Sequence, residues 1–94
     1  MSEAKGPIYD DYEDVFRRHY EQNYDRENVP FGRVAIAYSH GFNMAVDEQE
    51  EHRDWVECEE EVRQAWEEEE AGPWQNFRQA VRKGWETAKE ALGG

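Results

Sequence analysis

The sequence predicts an all-α protein: a small four-helix bundle that ends in a C-terminal αα-hairpin and has an aromatic-rich core. Three observations predict it. The pattern tryptophan, six residues, Val-Arg, two residues, tryptophan is written twice, as Trp55, Val62, Arg63, Trp66 and again as Trp74, Val81, Arg82, Trp85. Eleven positions separate the tryptophans of each copy, about three helical turns, so each pair shares one face of its own helix. Upstream, apolar residues recur at steps of three and four, the stripe of an amphipathic helix. Finally, 36% of the residues are charged, yet 14% are aromatic, and each aromatic ring can bury roughly 150–250 Å². A few large side chains therefore do the work of many aliphatic ones.

Residues 1–7 are polar and carry no periodicity, so they are expected to be disordered, with one helical domain over 8–92. Tyr12, Val15, Phe16, His19 and Tyr20 set the stripe of a first helix from about Tyr9 to Tyr24. Asp10, Asp11, Glu13 and Asp14 crowd its start, where carboxylates favour the positive end of the helix dipole. Asn28, Pro30 and Gly32 mark a connection over 25–33, in which Phe31 is expected to tuck over the end of the core. Val34, Tyr38, Phe42, Ala45 and Val46 define a second helix over 34–46, expected to be the most buried. Gly41 within it costs about 1 kcal/mol relative to alanine, which implies a packing reason such as a tryptophan ring lying across it.

Residues 47–53 lack a stripe and read as a linker. Asp54 with Glu57 three positions on has the spacing of a capping box and opens a third helix from about Trp55 to Glu69. Ala71, Gly72 and Pro73 close it and start the fourth, from Pro73 to Leu92, whose stripe is Trp74, Phe77, Val81, Trp85, Ala88 and Leu92. Arg78, Arg82, Lys83 and Lys89 on the fourth helix can then face the carboxylates of the third.

Tyr38-Ser39-His40-Gly41-Phe42, Arg53-Asp54-Trp55, Glu61-Val62-Arg63, Trp66-Glu67, Gly72-Pro73-Trp74, Phe77 and Ala80 through Trp85 resemble a bacterial helical domain of uncharacterised proteins, some of them associated with general stress. Phe16-Arg17-Arg18-His19-Tyr20 fits its opening, so the resemblance covers roughly residues 12–85. It implies the fold and a link to stress, and it implies no activity. The chain is more acidic than that pattern over 48–52, and Ser39-His40 stand where a more basic, aromatic pair is usual.

The formal charge is −12, and residues 47–70 hold 13 acidic against 2 basic side chains. Direct binding to nucleic acid or to an anionic membrane is disfavoured by that charge, which acts over roughly 8–10 Å at ordinary salt. Solubility, including in a salty cytoplasm, accounts for much of the acidity. Cys58 is the one cysteine, which rules out an internal disulfide. With no secretory start and no long apolar run, a cytoplasmic location is expected.

The residues that carry chemistry do not converge in the sequence. His52 lacks a glutamate at the helical metal-ligand spacing, because position 49 is glutamine, and a zinc site needs three or four ligands. Ser39 and His40 are helical neighbours that point about 100° apart. Cys58 lies among Glu57, Glu59, Glu60 and Glu61, which oppose a thiolate, so a packed thiol is expected. His19 and His40 read as half-buried boundary residues. No catalytic group, metal or cofactor is expected. The function read from this is a non-enzymatic, acidic protein-interaction module that binds another protein or itself, with Glu57, Glu60, Glu61, Glu68, Trp55 and Trp74 as the candidate surface. Two alternatives stay open: a DNA mimic that occupies the basic site of a nucleic-acid-binding protein, and a small-molecule-binding domain.

Overall fold

The computed structural model describes residues 8–24, 29–47 and 53–93. The expectations for 1–7 and for His52 lie outside the described residues. A 3-10 turn, Tyr9–Tyr12, leads into α1 (Glu13–Asn23), and α2 (Phe31–Asp47), α3 (Trp55–Glu68) and α4 (Trp74–Ala91) follow. All four helices lie where the stripes place them. α3 and α4 are joined by a short turn as the expected hairpin.

Two boundaries differ from expectation. The first turn of the first helix is 3-10 rather than α. The second helix starts at Phe31, three residues earlier than its stripe suggests, because Pro30 sits just before the first turn and its carbonyl accepts from Arg33 and Val34. Proline's missing N–H costs nothing there. Phe31 is helical and half-buried, edge-on to Tyr20 at 5.3 Å and under the Arg17 guanidinium at 4.3 Å.

Two aromatic clusters fill the core. In one, α1 lies on α2: Phe16 stacks on Tyr38 at 4.9 Å and on Tyr9 at 5.1 Å, and Phe42 closes the group edge-on to Phe16. In the other, Trp55 stacks on Trp74 at 6.4 Å and meets Trp85 edge-on at 5.9 Å, while Trp66 packs on Phe77 at 5.4 Å. The tryptophan faces of α3 and α4 thus meet as the repeat predicts, with Val62 and Val81 wholly buried. Burying each such side chain contributes about 1.5–3 kcal/mol.

The closest pairing in the bundle is a different one, α2 against α4. A Cβ at Gly41 would lie 1.8 Å from the Val81 carbonyl oxygen, and one at Gly84 would lie 2.0 Å from the Tyr38 carbonyl oxygen. The contact is reciprocal: Gly41 faces Val81 and Trp85, Gly84 faces Tyr38 and Phe42. The packing reason for Gly41 is therefore the α4 backbone, in place of the tryptophan ring expected from the sequence. Only glycine permits such an approach of two backbones. The Arg33 guanidinium lies over the Phe77 ring at 5.7 Å, so α2 and α4 run in the same sense from neighbouring N-termini. α2 accordingly shares with α4 the role of most buried helix.

The α3–α4 turn is held by Trp66, whose indole N–H donates to the Gly72 carbonyl at 2.7 Å. Glu70, just past the end of α3, has φ of 54°, a left-handed conformation that glycine takes without penalty and other residues take at a cost of about 1 kcal/mol. It also adds a carboxylate to the negative end of the helix. Glu70→Gly is expected to stabilise the protein by about 0.5–1 kcal/mol, read as a higher urea midpoint at unchanged slope.

Candidate functional site

α3 divides its carboxylates by the direction in which each helical position points. Positions 55, 58, 62 and 66 face inward and are apolar, so the glutamates between them are forced outward. Asp54 caps the helix, accepting from the Glu57 N–H while Glu57 accepts from the Asp54 N–H, both at 3.2 Å. The capping box read from the sequence is thereby present, and the exposed Glu57 helps to hold the helix start. Glu60 is paired with Arg63, and Glu67 with Arg63 at 3.0 Å. Glu61 receives two hydrogen bonds from Arg53 at 3.2 Å. Glu68, Glu69 and Glu70 are exposed.

Glu59 is set apart by its partner. It lies at the edge of the α3–α4 seam and takes a bidentate hydrogen bond from Arg78, which holds its carboxyl below the usual range. This is the helix-to-helix charge pairing expected from the sequence, and a partly exposed pair of this kind contributes about 0–1 kcal/mol.

The two candidate tryptophans are less exposed than the glutamates. Trp55 is 4% exposed and Trp74 is half-buried, so of the two only Trp74 reaches the rim. Trp55 instead forms the floor of an open cleft of about 830 Å³ between the start of α3 and the end of α4. Trp85 shares the floor, Val56 and Leu92 line the rim, and Arg53 and Lys89 stand at the sides. Val56 is 78% exposed, and the Lys89 ammonium lies 5.1 Å from the Trp85 ring centre. The Trp55 indole N–H is buried with no acceptor among the described residues. Such an orphan costs roughly 1–3 kcal/mol, and the Tyr9 hydroxyl in the other aromatic cluster is likewise buried without a partner among the described residues.

The remaining candidates resolve into structure. Cys58 is buried, as expected of a packed thiol. His40 is half-buried and donates from Nε2 to the Val62 carbonyl at 3.1 Å, with its ring edge-on to Trp66. His19 is half-buried and pairs through Nδ1 with the Tyr38 hydroxyl at 2.8 Å. Among the described residues no three His, Cys, Asp or Glu side chains gather to hold a metal ion, and no helix is long and apolar enough to cross a membrane.

The cleft escaped sequence reasoning because Val56, Trp85 and Leu92 look like unrelated apolar positions until α3 and α4 are folded together. Val56 was the available signal. It falls off the α3 stripe, and an apolar residue on an acidic face has no core to enter.

Comparison with known proteins finds no matching family model, no matching curated protein and no matching solved structure.

Proposed function

We propose that the protein is a non-enzymatic interaction module that receives a basic, amphipathic segment of another protein along the exposed face of α3. The observation that carries this reading is the juxtaposition of exposed carboxylates with an apolar opening on the same helix. Val56 lines the cleft with Trp55 and Trp85, and on the exposed side of α3 it lies next to Glu57 and one turn before Glu60 and Glu61. An apolar side chain of the partner enters the cleft, and its lysines or arginines pair with the glutamates that follow Val56 along α3. The charge supplies approach rate and orientation, and the cleft supplies affinity. Glu60 and Glu61 are held in place by Arg63 and Arg53, while Glu68 extends the acidic face toward the end of α3. The resemblance to stress-associated bacterial domains supports a partner that acts under stress.

Capture from native lysate on the immobilised protein, compared across variants, tests this. Val56→Asp is expected to lose the partner at all salt concentrations. The combined change Glu60→Gln, Glu61→Gln, Glu68→Gln is expected to weaken capture at low salt by roughly tenfold or more, because each lost charge pair at an interface rim contributes a few tenths to 1 kcal/mol. Capture that is indifferent to both variants would sink the proposal. Displacement of the partner by duplex DNA would give the same surface the role of a nucleic-acid mimic.

A further inference from the structure

One part of the molecule has the opposite chemistry to the acidic face. A hollow of about 280 Å³ is lined by His19 from α1 and by Arg78, Gln79, Arg82, Lys83 and Glu86 from α4. Arg78 is matched by Glu59 and Arg82 by Glu86 at 2.8 Å. Lys83 is half-buried and has no carboxylate within ion-pair distance among the described residues. Arg18 and Arg33 likewise have no carboxylate partner among the described residues, but of these three cations Lys83 is the one that lines a hollow together with a histidine.

We propose that this hollow binds an oxyanion of the phosphate class, either inorganic phosphate or the phosphoryl group of a small metabolite. Lys83 provides the unmatched positive charge. Arg82 turns one guanidinium edge to Glu86 and has further N–H donors to offer, since the group carries five. His19 provides the third donor from Nε2, because Nδ1 is engaged by Tyr38. The volume leaves room for the anion together with a water or the carbon group that bears the phosphoryl.

Histidine makes the site sensitive to pH. His19 faces Tyr38 of α2, Tyr24 beyond the end of α1, and Lys83, Arg82, Arg78 and Glu86 of α4. Burial, and then the Lys83 charge, hold the His19 imidazole below its ordinary value of 6.5. A bound anion favours the imidazolium, so His19 titrates higher with anion present. By linkage, protonation of His19 strengthens binding of a given charge state of the phosphate, while protonation of the phosphate itself, with a second pKa of about 6, works the other way.

The test follows the His19 imidazole resonances by NMR from pH 8 to pH 5, in phosphate and in chloride at equal ionic strength. Phosphate is expected to raise the His19 midpoint by roughly half a unit or more. Lys83→Gln is expected to remove most of that rise and to weaken phosphate binding roughly tenfold, with unchanged circular dichroism showing that the fold persists. Glycerol phosphate against inorganic phosphate separates the two sources: tighter binding of the ester assigns a metabolite, equal or weaker binding assigns the free ion. A His19 midpoint identical in phosphate and chloride overturns the proposal. So does a Lys83→Gln variant that binds phosphate like the native chain. Concentration-dependent dimerisation by light scattering, with no response to phosphate, would assign the hollow to carboxylates of a second copy and would likewise overturn it.

Discussion

Gly84→Ala is expected to destabilise the protein by about 3 kcal/mol or more. The added methyl would sit 2.0 Å from the Tyr38 carbonyl oxygen and 3.0 Å from the Phe42 nitrogen, and both obstacles are backbone. Overfilling a core ordinarily costs about 1–3 kcal/mol, with side chains giving way. Here no side chain can give, so α2 and α4 must separate and loosen both aromatic clusters. The loss exceeds the gain of up to about 1 kcal/mol that alanine brings to a helix interior. Against a total stability on the order of 5–10 kcal/mol, that is a large share. Gly41→Ala, with its methyl 1.8 Å from the Val81 oxygen, is expected to behave alike. The double variant is expected to cost clearly less than the sum of the singles, because once the helices part the second methyl has room. Gly32→Ala is the control: nothing lies within 4 Å of that position, so only the helix gain should appear. Urea unfolding of the four variants measures all of this.

Trp66→Ala is the second large effect, expected to cost about 3–5 kcal/mol and to leave much of the chain unfolded at 37 °C. Trp66 is wholly buried. It packs on Phe77 and on the His40 ring, and its N–H donates to the carbonyl of Gly72. One side chain thereby ties α3 to α2, to α4 and to the turn that joins them. Trp66→Phe separates the contributions: the ring contact persists in part, while the Gly72 carbonyl loses its donor, at an expected cost of about 2 kcal/mol. The companion residue Trp74 is only half-buried, so Trp74→Phe is expected to cost less than half as much by the same measurement.

These two predictions show which parts of the molecule the residues reveal in advance. α1 and α4 are legible because their stripes run uninterrupted from Tyr12 to Tyr20 and from Trp74 to Leu92. The start of α3 is legible because Asp54 and Glu57 form a local device whose chemistry depends on nothing distant. The start of α2 is misread because Pro30 and Gly32 are breakers in general, whereas here one lies outside the helix and the other is exposed within it. The glycine crossing is hidden for another reason. Gly41 alone signals a close neighbour without saying which, and Gly84 alone signals nothing; they become a contact only when paired. The shared spacing in Tyr38-x-x-Gly41-Phe42 and Val81-x-x-Gly84-Trp85 is the signal that would have joined them.

The same distinction governs the candidate surface. Which glutamates of α3 point outward follows from its inward stripe, so Glu57, Glu60, Glu61 and Glu68 are identifiable from the sequence. The partner of Glu61 is not, because Arg53 lies before the start of α3 and reaches Glu61 only once the chain is folded. Trp55, a candidate contact from the sequence, lies at the floor of the cleft, with Val56 as the exposed residue beside it. His19 and Lys83 come together from opposite ends of the chain, and no local pattern connects them.

The central proposal is that the α3 face and its cleft form a docking surface. Amide hydrogen exchange of the protein with and without its captured partner tests that claim most directly. The account expects slowed exchange from Asp54 through Glu61 and at the end of α4 around Lys89 to Leu92, with α1 unaffected. Protection confined to α1 or the exposed side of α2, with the start of α3 exchanging as in the free protein, would contradict it.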